Sequence, residues 1–162
     1  MSPRFIVAVL IGGLVAITCR WSGRGGTALP GLVAERIDPN FVEILTNLFV
    51  SEAILITGTN GKTTTARILS SIFEESGSLV VHNREGSNLM RGIGSALLSS
   101  IPKLWGTSRT SNGFHIKPHK AIALMEVDEA VLPYAVSALK PKAIVFTNLF
   151  RDQLDRYGEI EH

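Results

Sequence analysis

Cysteine is nearly absent: Cys19 is the only one in 162 residues. No intrachain disulfide can form, and none is needed, because a chain of this length can bury a core of its own. A zinc site would have to rest on carboxylates and on His82, His115, His119 and His162, and these show no HExxH spacing. His115 and His119 are four apart, but Pro118 lies between them and argues against a helix presenting both, so the pair reads as part of a polar loop. Charge of one sign is also scarce. Sixteen Lys and Arg against fourteen Asp and Glu leave +2, and the basic residues are scattered with no basic arm, which argues against nucleic acid as a partner. There is no internal repeat and no low-complexity segment. Hydrophobic residues at 45% exclude disorder and give the composition of a globular protein.

A long apolar run is missing too. Residues 5–18 are almost wholly apolar, but that is short of the roughly 20 residues a spanning helix needs. Arg4 precedes the run, and Arg20 and Trp21 follow it. It has the look of a signal-peptide core, yet no Ala-x-Ala site follows, and Ala16-Ile17-Thr18 before Cys19 makes a poor lipoprotein box. A docked or membrane-surface helix is the first reading, with a membrane anchor and a cleaved signal as alternatives.

What is present is an alternation of apolar strands and amphipathic helices. After a flexible break at residues 22–27, Asp38-Pro39 forces extended geometry at Asp38, and a short helix can begin at Pro39. Phe41, Ile44, Leu45 and Leu48 follow at helical spacing. Residues 53–56 read as a buried parallel strand. Residues 63–75 form a helix with Ile68, Leu69, Ile72 and Phe73 on one face, stopped by Gly77. A second strand covers 79–81, a helix 90–99, a third strand 121–127, a helix 133–139 and a fourth strand 143–147. Residues 102–120 read as an irregular polar excursion. The pattern predicts an α/β fold, an open and mostly parallel sheet with flanking helices, preceded by an apolar N-terminal helix.

The segment Thr57-Gly58-Thr59-Asn60-Gly61-Lys62-Thr63-Thr64-Thr65 follows the first strand and opens the first long helix, the context that a phosphate loop requires. Gly58 and Gly61 allow a tight turn and close approach to an anion. The next N–H groups lie at a helix N-terminus, where the macrodipole favours negative charge. Lys62 supplies a point charge for outer phosphates, and Thr63 a hydroxyl for Mg²⁺. Ile56 stands where the general GxxxxGK[ST] form has its first glycine, so this is a shorter and rarer loop, and an ordinary P-loop NTPase is disfavoured. The plain alternative is a glycine-containing turn capped by Thr63.

Ligands of open α/β sheets sit outside the carboxyl ends of the strands. Glu126 ends the third strand and is the expected Mg²⁺ carboxylate. Asp128 and Glu129 serve as well as caps of the next helix. Past the fourth strand, Asn148 is placed to touch nucleotide or metal-bound water. Asp152 and Asp155, three apart, could share one helical face, or cap a helix and pair with Arg151 or Arg156. Beyond the second strand, Arg84 and Arg91 could meet an anionic substrate, while Ser87 or Asn88 could cap the next helix.

Taken in order and spacing, the GTNGKTTT loop, the strand ending in Glu126 and the segment TNLFRDQLDRYGE resemble the central ATPase domain of the Mur ligase family. VHNREGSNLMRG, MEVDEA, DQLDRYGE and the early GRGGTALPGLVAERIDP resemble the branch of that family that amidates lipid II. The resemblance implies ATP and Mg²⁺ as cofactors, Lys62 and Glu126 as catalytic residues, and Thr63 and Glu126 at the metal. Gly58, Thr59, Asn60, Gly61, Lys62, Thr63, Thr64, Asn148 and Asp152 would line the nucleotide. It implies phosphorylation of a carboxylate to an acyl phosphate, which ammonia then displaces. The acceptor would be the D-glutamate of the membrane-embedded lipid II, the product D-isoglutamine, and the ammonia source a glutaminase partner of the GatD type, with the enzyme cytoplasmic or at the inner face of the membrane.

Gln153 stands where many relatives have His, which puts a second metal position in doubt. The expected division is an apolar helix at 1–21, a lead-in segment at 22–50, and an ATP-binding domain at 51–162. The rest of that domain and a further domain, with a four-cysteine zinc ribbon in this branch, are expected downstream of His162, so no zinc is expected here, and the chain alone is expected to bind nucleotide weakly and not to turn over. The alternatives are another ligase of the family, such as a folylpolyglutamate synthase, and a non-catalytic nucleotide-binding remnant.

Overall fold

A computed structural model of the chain describes residues 2–23, 28–83, 88–110, 113–118 and 120–148. Three helices come first: α1 (Pro3–Trp21), α2 (Leu29–Ile37) and α3 (Phe41–Phe49). Then follow β1 (Val50–Thr57), α4 (Lys62–Glu75), β2 (Val80–His82) and α5 (Met90–Leu104). The short strands β3 (Trp105–Thr110) and β4 (Gly113–Pro118) precede β5 (Ala121–Glu126), α6 (Leu132–Leu139) and β6 (Ala143–Phe146).

The main sheet has the order β2-β5-β1-β6, and every pairing in it is parallel. The expected open parallel α/β sheet, with its apolar N-terminal helix, is therefore what the chain forms. Alternation along the strands assigns the two faces. Ala53 and Leu55 of β1 join Ala121, Ala123 and Met125 of β5 in the larger core, under α3, α5 and α6. Ile56 and Leu124 point the other way, against Ala66 and Leu69 of α4.

The connection β1–α4–β2 moves toward one edge of the sheet, and β5–α6–β6 moves toward the other. Right-handed crossovers then put α4 and α6 on opposite faces. Such a reversal opens a crevice at the carboxyl ends of the strands where the direction changes, here β1 and β5. The phosphate-loop segment and Glu126 border that crevice.

Outside α5 lies a layer made of α2 and α1. It packs through small residues. A Cβ on Gly31 would stand 2.0 Å from the Arg91 carbonyl oxygen, and the Gly31 N–H donates instead to the Ser95 hydroxyl at 2.8 Å. Asp38 has the extended backbone that Pro39 demands, with φ −137° and ψ 103°. Its buried carboxylate accepts from the Ser2 hydroxyl and from the Asn40 N–H, and this ties the start of α1 to the start of α3.

Ile68 and Ile72 are exposed, while Ala66 and Ser70 carry the buried face of α4; small residues let the helix sit close to the sheet. Two expectations are corrected. The helix at 90–99 runs on to Leu104 with Pro102 in its last turn, where a missing N–H costs a single bond rather than a ladder. Finally, the expected irregular excursion contains an antiparallel hairpin in which Trp105 pairs with Pro118 and Thr110 with Gly113.

Candidate nucleotide site

The loop between β1 and α4 turns on two glycines in left-handed backbone, Gly58 at φ 125° and Gly61 at φ 85°. Gly58 is doubly required, since a Cβ there would meet the Thr147 hydroxyl at 2.4 Å and the Asn148 carbonyl oxygen at 2.5 Å. The segment leaving β6 is thus pressed against the loop and clamps it. The Thr59 N–H donates to the Asn148 carbonyl at 3.1 Å. The Asn60 N–H donates to Asn148 Oδ1 at 2.9 Å, and Asn148 Nδ2 returns a bond to the Asn60 carbonyl at 3.1 Å. Thr147 adds its hydroxyl to that same carbonyl at 2.6 Å. Asn148 was expected to touch nucleotide; here its side-chain amide spends both ends on shaping the loop.

Thr59 and Asn60 therefore have their N–H groups engaged. The next four, on Gly61, Lys62, Thr63 and Thr64, find no acceptor among the described residues. Three of them belong to the first turn of α4, where a helix leaves its donors without internal partners. Gly61, Thr63 and Thr64 are exposed, so these donors and the macrodipole behind them face open space. Lys62 folds back over the loop. Its ammonium donates to the Gly58 carbonyl and, at 3.3 Å, to the Thr59 carbonyl, with Glu129 at 4.0 Å.

Across the crevice, Thr63 Oγ1 donates to Glu126 Oε2 at 2.7 Å. The two expected metal ligands meet at one point, although they are 63 residues apart in sequence. Two residues at the end of β2 hold Glu126 there. His82 Nε2 lies 3.1 Å from Glu126 Oε1, and both side chains are largely buried. Asn83 brackets the backbone of Glu126: its Oδ1 accepts from the Glu126 N–H, and its Nδ2 donates to the Glu126 carbonyl, both at 2.9 Å. Burial pushes the Glu126 carboxyl toward protonation. The hydrogen bonds from His82 and Thr63, with the positive charge of His82 and Lys62, outweigh burial and hold its pKa below the ordinary glutamate value. The carboxylate is therefore ionised at neutral pH, as a cation ligand must be.

Sequence reasoning passed over His82 and Asn83. Their signal was available, because β2 alternation puts Val80 and His82 on the α4 face with Glu126, but the β2–β5 pairing that brings them together is tertiary. Asp128 does not cap α6, whose N-cap is Val131 and takes no side-chain bond; its Oδ1 accepts from the Ala130 N–H at 3.2 Å in the turn before that helix. Arg91 lies on the first turn of α5 and borders a cavity of about 520 Å³ with Glu35, Met90 and Tyr134, away from the loop. Arg84, Ser87, Arg151, Asp152, Gln153, Asp155 and Arg156 lie outside the described residues.

Among the described residues no group of three His, Cys, Asp or Glu gathers as a metal cluster. A Mg²⁺ site of the expected kind needs no such cluster, since one hydroxyl and one carboxylate suffice when phosphate oxygens and water complete the shell. The paired Thr63 and Glu126, beside N–H groups that find no acceptor among the described residues, fit that chemistry.

The sequence that builds this loop-and-carboxylate arrangement matches a known family. Residues 56–162 match the model of the Mur ligase middle domain, and the chain belongs to the Mur ligase family. Its relatives include the lipid II isoglutaminyl synthase (glutamine-hydrolyzing) subunit MurT of Staphylococcus aureus (strain COL), 35% identical over 155 residues, which is 95% of this chain and 32% of the relative. The subunit of the same name from Streptococcus pneumoniae (strain ATCC BAA-255 / R6) is 38% identical over 138 residues, 85% of this chain and 27% of the relative. The chain thus spans about a third of the length of these curated relatives.

Proposed function

We propose that this chain is the nucleotide-binding part of an ATP-dependent ligase that amidates the D-glutamate of lipid II to D-isoglutamine. The observation that carries the reading is the meeting of Thr63 and Glu126 at 2.7 Å beside four loop and helix N–H groups that find no acceptor among the described residues. ATP with Mg²⁺ would supply the phosphoryl group that activates the carboxylate. The N–H groups of Gly61, Lys62, Thr63 and Thr64 would bind the phosphates, and Gly58, Thr59 and Asn60, clamped by Asn148, would keep the loop in shape before the nucleotide arrives. Lys62 would exchange its backbone carbonyls for phosphate oxygens and neutralise charge on the transferring group. Thr63 and Glu126 would hold the metal, with His82 and Asn83 fixing the carboxylate. Asp152 is proposed as a further nucleotide contact from the resemblance alone.

On this reading residues 51–162 are the ATP-binding unit, 22–50 a lead-in, and 1–21 an appended helix. Relatives named as the MurT subunit of a glutamine-hydrolyzing synthase support a glutaminase of the GatD type as the ammonia source. A substrate embedded in the membrane supports work at its cytoplasmic face.

Nucleotide binding with and without Mg²⁺ tests the site. Lys62→Ala removes a charged hydrogen bond worth ~1.5–3 kcal/mol, so triphosphate affinity should fall by about ten- to a hundredfold while the circular dichroism spectrum stays unchanged. Equal affinity in wild type and variant would mean that the site is elsewhere.

A further inference from the structure

The helix α1 has two apolar faces, and only one of them is used. Phe5, Ala8, Gly12 and Ala16 are buried, packed on α2, α5 and α3. The approach is close: a Cβ on Gly12 would stand 2.9 Å from Leu98 Cδ1 and 3.1 Å from Ala34 Cβ. On the opposite side, Ile6, Leu10, Leu14, Ile17 and Trp21 recur every three or four residues and form one stripe. Leu10 is 67% exposed, Leu14 62% and Trp21 89%. The polar side chain beside the end of this stripe is already satisfied, as the Thr18 hydroxyl donates to the Val15 carbonyl at 2.9 Å. Desolvating it costs little.

Charge selects the occupant. Residues 3–21 include Arg4 and Arg20 and no acidic residue. Both arginines are exposed, one at each end of the helix. Two copies paired along this stripe would set arginine against arginine, in parallel or antiparallel arrangement, with no carboxylate on the helix to answer them. A surface of anionic lipid headgroups over hydrocarbon answers both features: aliphatic side chains enter the acyl boundary, the arginines meet phosphates, and Trp21 sits at the interface.

The buried face decides orientation. It runs from Phe5 to Ala16, so α2 and α5 accompany α1 along most of its length. Crossing the bilayer would drag their polar surface into hydrocarbon. A helix of 19 residues is roughly 28 Å long, and it must lie flat.

We infer that α1 docks the domain on an anionic bilayer, lying in the plane of the headgroups with the Ile6–Leu10–Leu14–Trp21 stripe inward. The inference stands on α1 and does not rest on the nucleotide site. Flotation with vesicles of equal parts phosphatidylcholine and phosphatidylglycerol tests it, against phosphatidylcholine alone. The whole chain should float with the anionic vesicles, and the emission of Trp21 should shift to the blue. Leu10→Gln with Leu14→Gln should lower the bound fraction by about tenfold or more. Arg4→Gln with Arg20→Gln should weaken binding to anionic vesicles by about fivefold per arginine. Both pairs replace exposed residues, and circular dichroism together with unchanged nucleotide affinity would keep this test separate from that of the site. A wild-type chain that floats with neither vesicle, or a Leu10/Leu14 variant that floats as well as wild type, overturns the inference. So does a dimer in analytical ultracentrifugation that this variant dissolves while the wild type fails to float.

Discussion

The two faces of the sheet are built on different principles. Under α3, α5 and α6 the core is deep and apolar, running from Phe5 through Phe41, Leu45 and Leu97 to Leu139. Under α4 it is thin: Ile56, Ala66 and Leu124 are its buried members, and Ile68 and Ile72 of the same helix stay in solvent. Yet the thin face carries Thr63, Glu126 and His82. Where packing is slight, polar contacts take over. Thr63 to Glu126, His82 to Glu126, Asn83 to the Glu126 backbone and Asn148 to the loop are all directional bonds. Apolar packing is strong but imprecise in angle, whereas a hydrogen bond fixes an atom's position. The deep face supplies stability, and the thin face supplies geometry.

Core truncation on each face is the strongest way to break that contrast. Phe41 is fully buried and meets Gly94 so closely that a Cβ there would lie 2.4 Å from its ring. Phe41→Ala should cost ~3–5 kcal/mol, read by urea denaturation. Leu69, half-buried under α4, should cost about half of that or less when replaced by alanine. Equal losses at the two positions would mean that the faces are energetically alike.

A smaller effect is expected from the polar side. Asn83→Ala leaves the Glu126 N–H and carbonyl without their partners. Such a loss costs ~1–3 kcal/mol, and in addition the carboxylate loses its bearing on Thr63. The Mg²⁺-dependent part of nucleotide affinity should fall more than the Mg²⁺-independent part. Leu69→Ala should lower stability without that split. A uniform fall in both parts for Asn83→Ala would make the residue merely structural.

Much of this was legible in the sequence, and the failures have physical causes. Strand–loop–helix register at residues 53–75 located the loop, because a buried strand, two glycines and Lys-Thr at a helix start are local features. Glu126 was legible as the last residue of an apolar run. The inward face of α4 was not. Ile68 and Ile72 make an apolar stripe at helical spacing, but so do Ala66, Leu69 and Phe73, and hydrophobicity alone chooses the larger residues. Close helix–sheet approach chose the smaller. The hairpin at 105–118 was obscured by Pro102 and by the polar composition around it. His82 and Asn83 depend on the pairing of β2 with β5, a contact that strand order creates and local sequence does not encode.

The smallest effect concerns pH, and it tests whether polar contacts on the thin face contribute stability as well as position. Glu126 titrates below the ordinary glutamate value in the folded chain, held down by His82, Thr63 and Lys62 against the pull of burial. A carboxyl with a lowered folded pKa stabilises the fold at pH values above its unfolded pKa, and that contribution is lost as pH falls through the folded one. Without Mg²⁺, wild type should therefore lose stability more steeply than Glu126→Gln on acidification below the usual carboxylate range, and the two curves should run parallel from there to neutral pH. The amide of the variant still accepts from Thr63, so the difference isolates the charge. Curves of identical slope through the acid range would confine Glu126 to orientation and leave the deep core as the sole source of stability.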